Sequence, residues 1–104
     1  SIRLSRADCR VVLSELAALD LADILQYTLE QWGERQMNLY AAKLNHGLRQ
    51  LAVNPQLGKP REDWYPGCRC FSVEHHLVLY AVVAHEVRVA RVFHERVDVP
   101  RHLP

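Results

Sequence analysis

Five side chains in the second half of the chain are of the types that RNA cleavage uses, and they are Arg69, His76, Tyr80, Arg91 and His94. Cleavage through the 2′-hydroxyl needs a general base, a general acid and cations that stabilise the charged transition state. Histidine and tyrosine can exchange protons, and arginine can hold a phosphate. A nuclease is therefore one hypothesis, and the elements that carry these residues decide whether they can meet.

Three of these residues also have a structural interpretation. Arg69 follows a Pro-Gly sequence, where it can anchor the loop, pair with an acidic side chain or contact a partner. Tyr80 stands in the apolar run from Leu77 to Val83, which is typical of a central strand. We therefore expect its ring in the core and its hydroxyl at the edge of the sheet. His76 precedes that run and fits a structural role at the start of the strand.

Arg91 is harder to explain as a purely structural residue. Strand alternation over residues 86–94 places it on one face with Val87, Val89 and Phe93, which are all apolar. Its guanidinium must then find a partner or lie over an open groove, because a buried charge without a partner is costly.

His94 and three further residues can serve either structure or binding. His94 and Glu95 come at the end of that strand, where a structural hydrogen bond is the alternative to a partner contact. Trp64 and Tyr65 lie in a loop, and exposed aromatic side chains often anchor protein interfaces. The alternative is that both rings only cover the core.

Two helices are predicted before these residues. Ser14 is a favourable N-cap with Glu15 in the first turn, and Gly33 is a favourable helix end. The apolar face of the first helix is predicted to consist of Ala17, Leu21, Ile24, Thr28 and Trp32. The buried stripe of the second is predicted to consist of Met37, Tyr40, Ala41, Leu44, Leu48 and Leu51. Asn54-Pro55 stops the second helix, so the two form an antiparallel hairpin.

The rest of the chain predicts a sheet. A short strand at Arg10 to Leu13 precedes the helices, and residues 1–10 are expected to be an extension of the domain. Residues 56–67 have the composition of a loop. Further strands are predicted at 68–73, 77–83 and 86–94, where the hydrophobic period is 2, with a turn at Ala84-His85. The order β-α-α-β-β-β indicates an α+β fold, in which the helical hairpin packs on one face of an antiparallel sheet.

The composition, with 49% apolar and 24% charged residues, fits one small globular domain over residues 1–104. The sequence has no apolar run near 18 residues and no signal-peptide pattern, so we expect a cytoplasmic protein without membrane contact. The net charge of +1 lacks the basic excess that phosphate binding requires, so we expect no direct sequence-specific nucleic-acid binding. Cys9, Cys68 and Cys70 are interpreted as reduced structural thiols, because their spacing does not match a zinc site.

Several short motifs occur together in one order. They are Asp20-Leu21-x-x-Ile24-x-x-Tyr27, Trp32-Gly33, Gly67-Cys68-Arg69, His76-Leu77-Val78-Leu79-Tyr80 and Arg91-Val92-Phe93-His94-Glu95-Arg96-Val97-Asp98. In this order, over residues 11–103, the chain resembles the ParE branch of the RelE/ParE toxins of bacterial type II toxin–antitoxin pairs, the plasmid stabilisation family. The resemblance implies a toxin that poisons DNA gyrase by binding, without catalytic residues, metal or cofactor. It also implies a hetero-oligomer with a ParD-like antitoxin, which neutralises the toxin.

RelE-like, ribosome-dependent mRNA nucleases share the fold of this superfamily and are the alternative. These nucleases are similar to one another in an Arg-Leu-Val-Tyr run on the third strand, and Leu77 stands here at the position of that arginine. Leucine cannot bind a phosphate. The chain also has only two lysines, Lys43 and Lys59, which is fewer than the nuclease pattern usually has. The resemblance therefore favours the gyrase poison, and a non-toxic interaction module is the third hypothesis.

The tail, residues 96–104, has few core-forming residues, and on composition alone it is expected to fray. ParE-type toxins extend past the last strand with a similar His-Glu-Arg-x-Asp segment that is implicated in action on gyrase. Asp98 matches that segment, and Val97 replaces a common methionine. We expect contacts with the antitoxin or gyrase from Trp64, Tyr65, Arg69, Arg91, His94, Glu95, Arg96, Asp98, Arg101 and His102.

Overall fold

A five-stranded sheet carries the helical hairpin on one face. The structure, a computed structural model, describes residues 8–104, so residues 1–7 of the expected extension lie outside the described part. The elements are β1 (Arg10–Leu13), α1 (Glu15–Trp32), α2 (Glu34–Val53), β2 (Lys59–Pro60), β3 (Arg69–Val73), β4 (His76–Val83), β5 (Glu86–His94) and a 3₁₀ helix (Val99–His102). This order confirms the α+β prediction and adds β2, two residues long, within the predicted loop.

Both predicted boundaries of α1 are confirmed. The Ser14 hydroxyl accepts a hydrogen bond from the Ala17 backbone N–H at 2.9 Å, which satisfies a donor that the first turn leaves without a partner. Gly33, with φ of 89°, ends α1, and its N–H donates to the Leu29 carbonyl. Glycine suits this left-handed conformation because it has no Cβ. The chain reverses there and α2 begins at the next residue, which makes the hairpin tight.

The sheet is mixed rather than wholly antiparallel, and its strand order is β1-β5-β4-β3-β2. Strands β3 to β5 pair antiparallel as predicted, and the additional β2 pairs antiparallel with β3. Strand β1, however, pairs with β5 in parallel, from Arg10 opposite Glu86 to Leu13 opposite Val89. Parallel pairing needs a long connection between the partners, and the helical hairpin lies within that connection. The expectation of an all-antiparallel sheet was wrong for this one pair.

A bulge in β5 changes the predicted face of Arg91. Leu79 lies opposite Arg91 and Tyr80 lies opposite Val89, so Ala90 is an extra residue in β5. Such an extra residue reverses the alternation of side chains beyond it. Val89 therefore shares the helix-facing core with Val92, and not with Phe93 as the alternation predicted.

Apolar residues form a core on each face of the sheet. The helix-facing core consists of Ala17, Leu44, Leu51, Val73, Val78, Tyr80, Val87, Val89 and Val92. The second core consists of Cys68, Leu79, Phe93 and Val99, flanked by Trp64, Tyr65, Cys70, Leu77, Val97 and Leu103. Trp32, predicted on the buried face of α1, is 70% exposed because it is the last residue of that helix.

The tail does not fray, and this corrects the expectation from composition. Val99 is only 3% exposed and packs in the second core, with Val97 and Leu103 against the same cluster. A 3₁₀ helix follows Asp98, and the Arg101 N–H donates to the Asp98 carbonyl. Three apolar residues are too few to fold on their own. They order the tail because the open face of the sheet offers apolar surface against which they pack.

Candidate partner-binding surface

Arg91 finds a partner on the first helix. Its Nε and one terminal nitrogen donate to the two carboxylate oxygens of Asp20 at 2.8 and 2.9 Å, and both side chains are largely buried. Asp20 also accepts the backbone N–H of Val92 at 2.9 Å. Burial raises the pKa of Asp20, but the hydrogen bonds from Arg91 and Val92 lower it, and the net shift is downward. The arginine is therefore engaged within the fold, although its guanidinium also lies 4.5 Å from the ring of Phe93.

Arg69 and Tyr80 together anchor the loop that precedes β2. Arg69 donates to the carbonyls of Gly58 at 3.0 Å and Gln56 at 3.1 Å. The Tyr80 hydroxyl donates to the Pro55 carbonyl at 2.7 Å and accepts the Gly58 N–H at 2.8 Å. The predicted burial of Tyr80 is confirmed, because none of its surface is exposed. Both polar groups serve a structural role in this loop.

His76 and His94 meet at the end of the sheet where β4 begins and β5 ends. Their ring centroids lie 5.3 Å apart in an edge-on arrangement. His76 Nδ1 shares a hydrogen bond with the Tyr40 hydroxyl, and His94 Nδ1 accepts the Arg96 N–H. Burial lowers the pKa of His76, and the neighbouring His94 lowers it further. The nuclease candidates thus form two separate pairs, His76 with His94 and Arg69 with Tyr80, which lie opposite each other in β3 and β4, while Arg91 is paired with Asp20.

Trp64 and Tyr65 pack against the second core, which is the covering role that was the alternative to an exposed interface. The guanidinium carbon of Arg61 lies over the Trp64 ring, 3.7 Å from the ring centroid. A second loop contact joins His75 Nδ1 and the Glu95 carboxylate at 3.0 Å. The rings of Trp64 and Tyr65 are only partly buried, so each still exposes some aromatic surface.

The polar residues of the tail face solvent above the packed apolar residues. Arg96, Asp98, Arg101 and His102 are all exposed. The His102 ring lies 5.4 Å from that of Phe93, which fixes its side of the 3₁₀ helix. The second core thus holds a row of charged and polar groups in a defined position.

Sequence reasoning did not predict a large concavity that α1 and α2 form with the end of the sheet at His76 and His94. It has a volume of about 750 Å³, and we call it the hairpin groove. Its lining consists of Asp23, Ile24, Tyr27, Thr28, Trp32, Gln36, Leu39, Tyr40, Lys43, His75, His76 and His94. Tyr27, Trp32 and Leu39 are 62%, 70% and 48% exposed. Of these three residues, only Trp32 belongs to the apolar face that was predicted for α1, and only the position of the sheet shows that it stays uncovered.

Within residues 8–104 there is no group of three or more His, Cys, Asp or Glu side chains arranged to hold a metal ion. In the same part of the chain, no helix is long and apolar enough to cross a membrane.

A family model described as "ParE toxin of type II toxin-antitoxin system, parDE" matches residues 11–99. The chain belongs to the ParE toxin family. Toxin ParE1 of Mycobacterium tuberculosis (strain ATCC 25618 / H37Rv) is 35% identical over 95 residues, which cover 90% of this chain and 97% of that protein. Toxin ParE of Escherichia coli is 34% identical over 93 residues, covering 88% and 90%. The resemblance found in the sequence is confirmed.

Solved structures share the fold of this ParE-family chain. The chromosomal ParDE TA system from P. aeruginosa matches with a TM-score of 0.72 at 18% identity, covering 83% of this chain and 95% of the other. The toxin–antitoxin complex RelBE2 from Mycobacterium tuberculosis matches with a TM-score of 0.63 at 21% identity, covering 85% and 92%. At these identities the likeness concerns the fold alone, and it confirms the RelE/ParE-like architecture.

Proposed function

We propose that this ParE-family toxin inhibits DNA gyrase by binding, acts in the cytoplasm, and is neutralised by a ParD-like antitoxin. The family match over residues 11–99 is the observation that carries the proposal. In this mechanism the toxin needs no catalytic residue, metal or cofactor of its own. It binds gyrase and traps the enzyme while the DNA is cleaved.

The engaged state of the nuclease candidates supports a binding mechanism. A cleavage site needs a base, an acid and free cations within reach of one phosphate. Arg91 is paired with Asp20, and Arg69 donates to loop carbonyls. Leu77, which replaces the nuclease arginine, packs against the second core. His76 and His94 alone lack the cations that such a site requires.

The helix-facing side supports an antitoxin interface. The hairpin groove offers exposed apolar side chains, which suit an amphipathic helix. In addition, β2 pairs only with Arg69 and Cys70, so among the described strands none covers the edge of β3 from Phe71 to Val73. An extended antitoxin segment can add a strand there. A wrapped interface of this kind buries roughly 2,000 Å² or more.

The tail supports a second surface for gyrase. Arg96, Asp98, Arg101 and His102 face solvent, while the apolar residues beneath them pack on the sheet face opposite to the helices. Arginine is enriched at the energetic centres of protein interfaces. Gyrase and the antitoxin would thus contact different faces of the sheet, and the antitoxin would act by its bulk or by fixing the toxin's shape.

One pair of assays tests the proposal. Purified toxin is added to a gyrase supercoiling reaction and, separately, to translating ribosomes with a defined mRNA. We expect inhibition of supercoiling with gyrase-dependent DNA breaks, intact mRNA, and reversal of the inhibition by the antitoxin encoded beside the toxin. Cut mRNA with unaffected gyrase would establish the RelE-like nuclease instead, and inactivity in both reactions would establish an interaction module.

A further inference from the structure

The hairpin groove contains two residues with a fixed charge, and only one of them has a charged partner. Lys43 lies 3.4 Å from the Glu74 carboxylate, so its charge is already matched. Asp23 is exposed and makes neither an ion pair nor a hydrogen bond with another side chain of the described chain, residues 8–104. The groove therefore presents an unmatched carboxylate on the wall that α1 forms.

Two aromatic rings on α1 line the same groove as this carboxylate. Tyr27 follows Asp23 by four residues, and residues four apart are neighbours on one side of a helix. Trp32 lies further along α1 and also lines the groove. Within residues 8–104, neither ring stacks on another aromatic ring or on a cation, in contrast to Trp64, which carries Arg61. Both rings are thus available to a ligand.

The opposite end of the groove does not reverse this charge. Burial lowers the pKa of His76 and so disfavours the charged form of its ring. His75 is hydrogen-bonded to Glu95, and Lys43 is paired with Glu74, so each of these donors already faces a carboxylate. A second carboxylate brought into the groove would meet Asp23 without gaining a free cation. A cationic side chain would gain both the carboxylate and the ring faces, which attract cations through their quadrupoles.

We propose that the hairpin groove is a specificity pocket for a basic side chain, lysine or arginine, of the antitoxin, held by Asp23 and by the face of Tyr27. The proposal rests on the proposed function, because the antitoxin is its occupant. The apolar stem of a lysine or arginine packs on the Tyr27 ring, four residues from Asp23 on the same side of α1, while its charged end reaches the carboxylate. The groove would thus select among antitoxins by charge at one position, and apolar burial elsewhere would supply most of the affinity.

The test uses purified toxin and the antitoxin encoded beside it, with the dissociation constant measured by calorimetry. We expect Asp23→Asn and Tyr27→Ala each to weaken the complex about tenfold, since a desolvated charge contact and a cation–π contact each contribute on that scale. Asp8→Asn is the matched control, because Asp8 is an exposed carboxylate that does not line the groove. We expect it to leave the affinity unchanged. Melting temperatures confirm that all variants fold.

A charge exchange identifies the basic residue. Each lysine and arginine of the antitoxin is changed in turn to glutamate and titrated against wild-type toxin and against Asp23→Lys. One glutamate variant should bind wild-type toxin poorly and recover most of its affinity with Asp23→Lys. The inference would be overturned if Asp23→Asn bound with wild-type affinity and no glutamate variant recovered its affinity with Asp23→Lys. A tight complex of the two wild-type proteins would in that case still support neutralisation by the antitoxin, which is the part of the proposed function that the inference uses.

Two other occupants would give different results, and each would overturn the inference. If an apolar antitoxin side chain fills the groove, Asp23→Leu binds the antitoxin more tightly than wild type. If a second copy of this chain fills it, the toxin alone sediments as a dimer and Trp32→Ala sediments as a monomer. In that case the dissociation constant of the antitoxin complex is the same for Asp23→Asn and wild type. Absence of any complex with the antitoxin would overturn the proposed function itself, and the pocket assignment with it.

Discussion

Asp20 on α1 is hydrogen-bonded to the edge of β5, at the Arg91 side chain and the backbone N–H of the next residue, Val92. Strand β1 ends at Leu13, opposite Val89, so β5 has no strand partner on that side beyond this point. The Asp20 carboxylate takes the place of a strand, because it accepts hydrogen bonds from the Val92 N–H and from Nε and one terminal nitrogen of Arg91. One side chain thus satisfies a backbone donor and a charge at the junction of helix and sheet.

We predict that Arg91→Ala destabilises the fold by about 2 kcal/mol. Removing one member of a largely buried pair leaves the other charge without its partner, and the residual exposure of the two side chains reduces that penalty from the value for a fully buried pair. Urea denaturation measures the change. Arg88→Ala, which removes an exposed arginine of the same strand, is the control and should change stability by less than about 0.5 kcal/mol. Unchanged stability of Arg91→Ala, with loss of partner binding, would return this residue to a recognition role.

We predict that Tyr80→Phe lowers stability by about 1 to 3 kcal/mol. The substitution keeps the ring but removes a hydroxyl that serves the Pro55 carbonyl and the Gly58 N–H, so two backbone groups lose their partner. Thermal unfolding gives the magnitude. Toxicity should fall only as far as stability does. If toxicity disappears while the melting temperature is unchanged, the hydroxyl takes part in chemistry and the binding mechanism is contradicted.

His76, which lines the hairpin groove, makes the stability of the fold depend on pH. The folded-state pKa of His76 lies below its usual value, so the unfolded chain binds the proton more readily than the folded one. The stabilisation is fully present above the unfolded pKa of about 6.5 and is lost as pH falls through the folded pKa. We expect the melting temperature of wild type to fall below pH 6.5, and His76→Gln to fall less steeply. His46→Gln, at an exposed position, should follow wild type, and parallel curves for all three proteins would contradict the assignment.

Two substitutions in the tail separate its structural from its binding role. Val99→Ala should cost about 2 kcal/mol, because it removes buried methyl groups from the second core. Arg101→Ala removes an exposed side chain and should leave stability within about 0.5 kcal/mol. If the tail contacts gyrase, Arg101→Ala reduces inhibition of supercoiling while the antitoxin still binds. Full inhibition by Arg101→Ala, Arg96→Ala and their double variant would exclude these arginines from the gyrase contact.

Local signals explain why much of the architecture was predictable. The cap at Ser14, the glycine at Gly33 and the change of hydrophobic period after Gly67 each act within a few residues of chain, so they can be identified without tertiary information. The family resemblance was also accessible, because it depends on the order of short motifs. These features determined the helical hairpin, the three long strands and membership of the ParE toxins.

The candidate site depended on contacts that no local pattern contains. Asp20 and Arg91 are 71 positions apart, and neither residue type indicates the other. The bulge at Ala90 places Arg91 on a different face from the one that alternation predicts, because one extra residue reverses every side chain beyond it. The tail is held by the open second face of the sheet, which exists only once β3, β4 and β5 have paired. The hairpin groove likewise forms only where both helices meet the end of the sheet, and Tyr27 and Trp32 stay exposed there. Tertiary packing, rather than sequence periodicity, thus decided which apolar residues remain available to a partner.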